Sequence, residues 1–238
     1  MADWKYYNHA LISTLPPHEV PDITQLANKD GWQNDSGRPL LARWTREHLC
    51  YLPVRDSDCE NETNWWYVIK DKPFNISSLK AKRRYEVNKG IKNFNTVVIN
   101  PCEHKHALYE VQVAAFSAYP QKYRPNVTFE KFAKDIETWS EFTIFGAFTK
   151  EDNKLVGYAL LESQGEKCIK FSVQKTIPDY EKAGVNAALV CKILEHFEDF
   201  LTAGGYICDG ERSINHETQF QNYLEKYFAG FRKSKDAW

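Results

Sequence analysis

The stretch from Lys167 to Asp209 constrains this chain most, because the spacing of its apolar residues changes twice within it. Ile169, Phe171 and Val173 alternate with polar residues, which is the period of a strand. Pro178 ends that strand, and a tight loop follows with Asp179, Lys182 and Gly184. From Val185 onward Leu189, Ile193, Phe197 and Phe200 recur at three- and four-residue steps, which predicts an amphipathic helix. Gly204-Gly205 stops the helix, and Tyr206-Ile207-Cys208 starts a second strand. Strand, loop, helix and strand make a βαβ unit. Its loop leaves backbone N–H groups free at a helix N-terminus, and these groups with the helix dipole suit a phosphate. The same geometry also serves as a plain connection, because βαβ units occur in folds of every function.

The rest of the composition narrows the class. The chain has 238 residues, 42% of them hydrophobic, enough for one large domain with a core or for two small ones. A net charge of −1 argues against a chain that acts as a whole as a nucleic-acid or membrane glue. There is no apolar run of about 18 residues, so no membrane-spanning helix is expected. Met1 to Tyr7 lacks the apolar core of a signal peptide. The six cysteines are scattered, with no Cys-x-x-Cys pair, and Cys168, Cys191 and Cys208 sit in apolar patterns. A reducing, cytoplasmic location is expected. Without a secretion signal, Asn-x-Ser/Thr triplets such as those at Asn61, Asn75 and Asn126 are read as chance. No Cys/His spacing suits zinc, so no metal is expected, and no Gly-x-Ser-x-Gly elbow marks a serine hydrolase.

Residues 1–75 read as an extension packed on a core that runs from 76 to 238. The extension is weakly patterned, with breaks at Pro16-Pro17 and Pro21 and a turn at Asp35-Ser36-Gly37. Strands are expected at 48–54 and 65–69, joined as a hairpin, with Trp65 and Trp66 on opposite faces. Ser77 or Ser78 can cap a helix bearing Lys80, Lys82, Arg83, Arg84 and Lys89, which Asn88-Lys89-Gly90 would stop. This basic run suits an anionic group, and it equally suits a solvated helix face. A strand is expected at Thr96–Ile99, then helices at 106–116 and 129–139 around a loop with Tyr119, Tyr123 and Arg124. Phe142–Phe148 and Leu155–Leu161 predict a hairpin around an acidic turn. Phe220, Tyr223, Leu224, Tyr227 and Phe228 predict a last helix, with a closing strand from Phe231.

The run Pro178-Asp179-Tyr180-Glu181-Lys182-Ala183-Gly184-Val185-Asn186-Ala187-Ala188-Leu189 resembles the acyl-CoA loop of the GNAT acyltransferase superfamily. It keeps that loop's Pro, acidic-Tyr pair, central Gly and Leu, and it departs at Glu181 and Asn186. The segment Leu79 to Ile91, with Arg83-Arg84 and Lys89-Gly90, is similar to one in the Fem-type peptidoglycan aminoacyl transferases, a branch of the same superfamily. The hairpin 142–161 and the closing Asn215, Tyr223 and Phe228 add to the resemblance, which covers about residues 77–235.

The resemblance implies an α/β fold, with a mixed, mostly antiparallel twisted central sheet flanked by helices. It implies transfer of an acyl group from acetyl-CoA or another acyl-CoA to an amine or hydroxyl. The acceptor would be a small molecule, a sugar nucleotide or a cell-envelope (glycan) precursor. Donor contacts would fall on Gln174, Lys175, Thr176, Lys182, Ala183, Gly184, Val185, Asn186 and Ala187. Acceptor contacts would fall on Tyr119, Tyr123, Arg124, Arg83 and Arg84. Tyr223 matches the position of the proton donor, and Glu162 and Asp209 are candidate bases near strand ends, with Glu211 and His216 as further candidates. The Fem branch adds aminoacyl-tRNA as an alternative donor. A carboxylate at Glu181 disfavours a nearby pyrophosphate, which keeps a non-catalytic binding module open as well.

Overall fold

The computed structural model describes residues 4–7, 10–13, 41–43, 67–121, 124–164, 166–209, 219–228 and 230–234. In chain order the elements are β1 (Trp4–Tyr7), β2 (Ala10–Ser13), β3 (Leu41–Arg43), β4 (Tyr67–Lys70), α1 (Ala81–Asn93) and β5 (Phe94–Val98). There follow α2 (Lys105–Ser117), α3 (Phe129–Glu137), β6 (Phe142–Thr149), β7 (Leu155–Gln164) and β8 (Cys168–Thr176). The chain closes with α4 (Val185–His196), α5 (Glu198–Thr202), β9 (Tyr206–Cys208), α6 (Gln219–Tyr227) and β10 (Phe231–Ser234).

The main sheet has seven strands in the order β10-β4-β9-β8-β7-β6-β5 among the described residues. All of its pairs are antiparallel except β8–β9, which α4 and α5 connect as a parallel crossover. This is the βαβ unit expected from residues 167–209. The expected 142–161 hairpin forms as β6 and β7, with Phe142 opposite Glu162. β1, β2 and β3 make a separate small sheet.

Alternation along the strands feeds two cores. Phe145, Ala147, Val156, Ala159 and Leu161 face α4, with Val87 of α1 and Leu224 of α6 in the same cluster. Ile144, Phe148, Leu155, Tyr158 and Leu160 face α2 and α3, against Leu108, Val111, Phe132 and Ile136. Both faces of β6 and β7 are therefore covered.

Several expectations shift. Asn75, and not Ser77 or Ser78, caps the first turn: its side chain accepts from Ser77 N–H at 2.8 Å across a 3-10 turn at Ile76–Ser78. The helix proper then begins at Ala81 without a side-chain cap. Gly90 does not stop it. The helix runs on to Asn93, because Gly90 is a packing glycine rather than a C-cap. The single helix expected over Val185–Phe200 breaks at Phe197, whose ring lies 6.4 Å from Phe145 and 6.3 Å from Phe200. The expected strand at 48–54 and Trp65 and Trp66 lie outside the described residues. Tyr67–Lys70 is a strand of the main sheet, between β10 and β9. Among the described residues no helix is long and apolar enough to cross a membrane.

Candidate functional site

The site starts from an opening in the sheet. β8 pairs with β7 along its whole length, but with β9 only over Cys168–Lys170, because β9 ends at Cys208. Beyond Lys170 no strand lies along that edge among the described residues. Ile177 N–H donates to Val156 O at 2.9 Å, toward β7. Strand alternation then turns the N–H and C=O groups of Gln174 and Thr176 the other way, into the opening.

A bulge aims the side chains. Leu160 pairs with Val173 and Leu161 with Phe171, so Ser172 is an extra residue in β8. Ile169 and Phe171 belong to the α4-side core, whereas Val173 packs with the α2-side core. A strict alternation of Ile169, Phe171 and Val173 would have put all three on one face. Past the bulge Gln174 faces α4, where its Nε2 donates to Asn186 Oδ1 at 2.8 Å. Lys175 faces α2, with Nζ 4.2 Å from the ring centre of Phe116 and 5.4 Å from that of Tyr119. The Gln174 Oε1 atom is buried and has no hydrogen-bond partner among the described residues.

The loop after β8 is a 3-10 turn, Pro178–Ala183, closed by Gly184 at φ 96°. Val185, Asn186 and Ala187 form the first turn of α4, where backbone N–H groups have no acceptor within the helix. Helix α1 clamps this loop from outside. Lys89 Nζ donates to Lys182 O at 2.9 Å and Asn93 Nδ2 to Ala183 O at 3.0 Å. A Cβ on Gly90 would lie 2.3 Å from Gly184 O, so only glycine lets the two backbones meet.

Helix α6 supplies the facing wall. Tyr223 stacks on Tyr227 at 4.6 Å and on Phe220 at 6.0 Å. Arg83 lies 4.0 Å over the Tyr227 ring and is held by Glu86 at 2.7 Å. Burial, with Tyr227 beside it, pushes the Tyr223 hydroxyl well above the usual tyrosine range, so it keeps its proton at neutral pH. The walls enclose a cleft of about 630 Å³. Gln174, Lys175, Thr176, Glu181, Asn186 and Tyr223 line it, with Tyr119 at its α2 side.

No protein-family model matches the sequence, and no curated protein does. Solved structures do match. One is the C-terminal DUF2156 domain of a candidate lysylphosphatidylglycerol synthetase from Agrobacterium fabrum: identity 13%, TM-score 0.52, 88% of this chain and 66% of that one. Another is a conserved protein of unknown function from Bacteroides thetaiotaomicron: identity 11%, TM-score 0.50, 71% of this chain and 57% of that one. L-PGS from Bacillus licheniformis matches with identity 17% and TM-score 0.48, over 71% of this chain and 55% of that one. The fold is GNAT-like. FemX and several acetyltransferases also match, at TM-scores below 0.5. The chain spans a little over half to two thirds of the length of the first three.

Within this GNAT-like frame the expected residues divide. Gln174, Lys175, Thr176, Asn186, Tyr119 and Tyr223 come together in the cleft. Lys182, Ala183 and Gly184 form the loop behind it, and Val185 and Ala187 are buried in the first turn of α4. Arg83 backs the cleft through Tyr227. Others lie apart. Arg84 reaches Ser77 O and Leu79 O at 3.4 and 3.5 Å. Arg124 closes the C-terminus of α2, donating to Tyr119 O at 2.7 Å and Ser117 O at 2.6 Å. Glu162 accepts from Ser172 Oγ at 3.2 Å and sits four residues along β7 from Tyr158, which is about 13 Å. Asp209 N–H donates to Val68 O, and its carbonyl accepts from Gln221 Nε2. Tyr123, Glu211, Asn215 and His216 lie outside the described residues.

The cleft also holds a residue to which the sequence assigned no role in the chemistry. Glu181 is its lining carboxylate among the described residues, with Oε1 3.4 Å from Thr176 Oγ1. In the sequence Glu181 stands out only as a departure from the loop pattern. Lys226 joins the lining because it follows Tyr223 by three residues on one helix face. Among the described residues no group of His, Cys, Asp and Glu could hold a metal ion.

Proposed function

We propose that the protein is an acyltransferase that moves an acyl group from an acyl-CoA to an amine or hydroxyl in this cleft. The observation that carries the reading is the open edge of β8 at Gln174 and Thr176, beside the first turn of α4. The backbone N–H groups there suit a polarised carbonyl, and the helix N-terminus suits the donor's phosphates. The acceptor nitrogen or oxygen attacks the carbonyl carbon as the C–S bond of the thioester breaks. Glu181 takes the acceptor's proton, and Tyr223 gives one to the leaving thiolate.

Calorimetric titration with acetyl-CoA tests this reading, using Asn186→Asp as the variant. An aspartate in the first turn suits the helix dipole, so the fold is retained, while its charge repels a phosphate. Saturable binding in the natural chain and binding at least about ten-fold weaker in the variant are expected. No heat at millimolar acetyl-CoA would remove the acyl-CoA donor and leave a binding module or another donor.

A second donor has an observation of its own. Lys80, Lys82, Arg84, Lys89 and Lys92 make α1 basic, and all five are exposed. This basic run suits the phosphates of aminoacyl-tRNA, the donor the Fem resemblance implies. Binding of a bulk tRNA preparation that falls steeply with salt would favour it.

A further inference from the structure

Lys175 is a charge of the cleft that the proposed reaction does not use. Its side chain is partly buried, and burial of the ammonium lowers its pKa. Its contacts are the rings of Phe116 and Tyr119. Among the described residues no carboxylate pairs with it. Glu181 is held at Thr176, its Oε1 3.4 Å from Thr176 Oγ1. Glu162 accepts from Ser172. Ring faces attract a cation but do not neutralise it, so among the described residues the desolvation of Lys175 is left uncompensated. The Ser172 bulge makes the arrangement deliberate. Without it Lys175 would face α4 and Gln174 would face α2.

We infer that Lys175 is the counter-ion for an oxyanion, a carboxylate or a phosphate, carried by the acceptor substrate. Lys175 opens on the α2 side of the cleft, beside Tyr119. The α4 N-terminus, where the donor is proposed to sit, lies across β8 from it. An anion on the α2 side is therefore a group of the second substrate. That last step rests on the transferase reading. The anion site itself does not.

Its test needs neither turnover nor acetyl-CoA. The full chain is titrated calorimetrically with succinate and with its uncharged diamide, succinamide. Succinate is expected to bind saturably and succinamide not. Lys175→Met is expected to weaken succinate binding about ten-fold or more, while Lys175→Arg retains most of it. Inorganic phosphate in place of succinate tells a phosphate-bearing acceptor from a carboxylate-bearing one, and stronger binding of either supports the site. Methionine keeps the contact with the rings and removes an unpaired desolvated charge, so Lys175→Met should melt no lower than the natural chain. Equal succinate binding in the natural chain and Lys175→Met, or none of either anion at ten millimolar, overturns the inference. So does a clear fall in melting temperature with binding unchanged, since that is the behaviour of a structural lysine.

Discussion

Gly90→Ala will lower the melting temperature by roughly 6–12 °C. The added Cβ would meet Gly184 O at 2.3 Å and Ala188 N at 3.1 Å, and both are backbone atoms that no rotamer change can move aside. Overpacking of this kind costs about 3 kcal/mol, and for a chain of this size each kcal/mol moves the midpoint by about 2–4 °C. The approach is as close from the other side: Gly184 has φ 96°, and a Cβ built on it would lie 2.8 Å from Gly90 Cα. The loop is further tied by Lys89 and Asn93, so α1 must shift as a unit or the loop must deform. Asn88→Ala, exposed on the same helix, is the control and should change stability by less than about 0.5 kcal/mol. Thermal melts of the three proteins decide it. If Gly90→Ala melts with the control, the two backbones do not meet as described. The functional consequence follows from the same contact. The loop that carries the α4 N-terminus is held by a helix outside the βαβ unit, so its shape depends on α1.

Tyr223→Phe is expected to lower kcat about a hundred-fold and leave donor binding unchanged. The ring keeps its stack on Tyr227 and Phe220, so only the hydroxyl is lost. Burial raises the Tyr223 pKa, so the hydroxyl keeps its proton near pH 7 and cannot act there as a base; in the proposed reaction it has a proton to give the leaving thiolate. The sign carries into the pH profile. Deprotonation of this hydroxyl begins only above the ordinary tyrosine value of about 10, so kcat should show no alkaline limb from Tyr223 below about pH 10. Thiol release from acetyl-CoA, measured with the natural chain and the variant against pH, tests both points. A loss of less than about three-fold would leave Tyr223 as a wall of the cleft and nothing more.

Much of this was legible in the chain. The alternation in 142–161 and the change of period at Pro178 predict the hairpin and the parallel crossover, because strand and helix place apolar residues at different, fixed intervals. The aromatic spacing at 220, 223 and 227 marks one face of α6, and that face became a cleft wall. Gln174, Lys175 and Thr176, expected on the central strand, and Asn186, expected on the loop, line one cleft. Arg124 is the opposite case. An arginine in a loop next to tyrosines reads as a ligand contact, yet its guanidinium is taken up by carbonyls at the end of α2. The carbonyls it meets belong to the helix end, and no spacing in the sequence records which of them a long side chain will reach.

By itself, the sequence determined the 142–161 hairpin, the strand-helix-strand order of 167–209 and the aromatic face of α6, since these depend on residues close together in the chain. Tertiary structure alone decided three things. Pairing of β8 with β7 made Ser172 the extra residue and turned Val173, Gln174 and Lys175 over, reversing the faces that simple alternation assigns. The close approach of Gly90 to Gly184 turned a glycine that reads as a helix stop into a contact between backbones 94 residues apart. The early end of β9 left one edge of β8 open, which made the cleft. Each depends on a partner distant in sequence, and the periodicity of a segment reports only its own repeat.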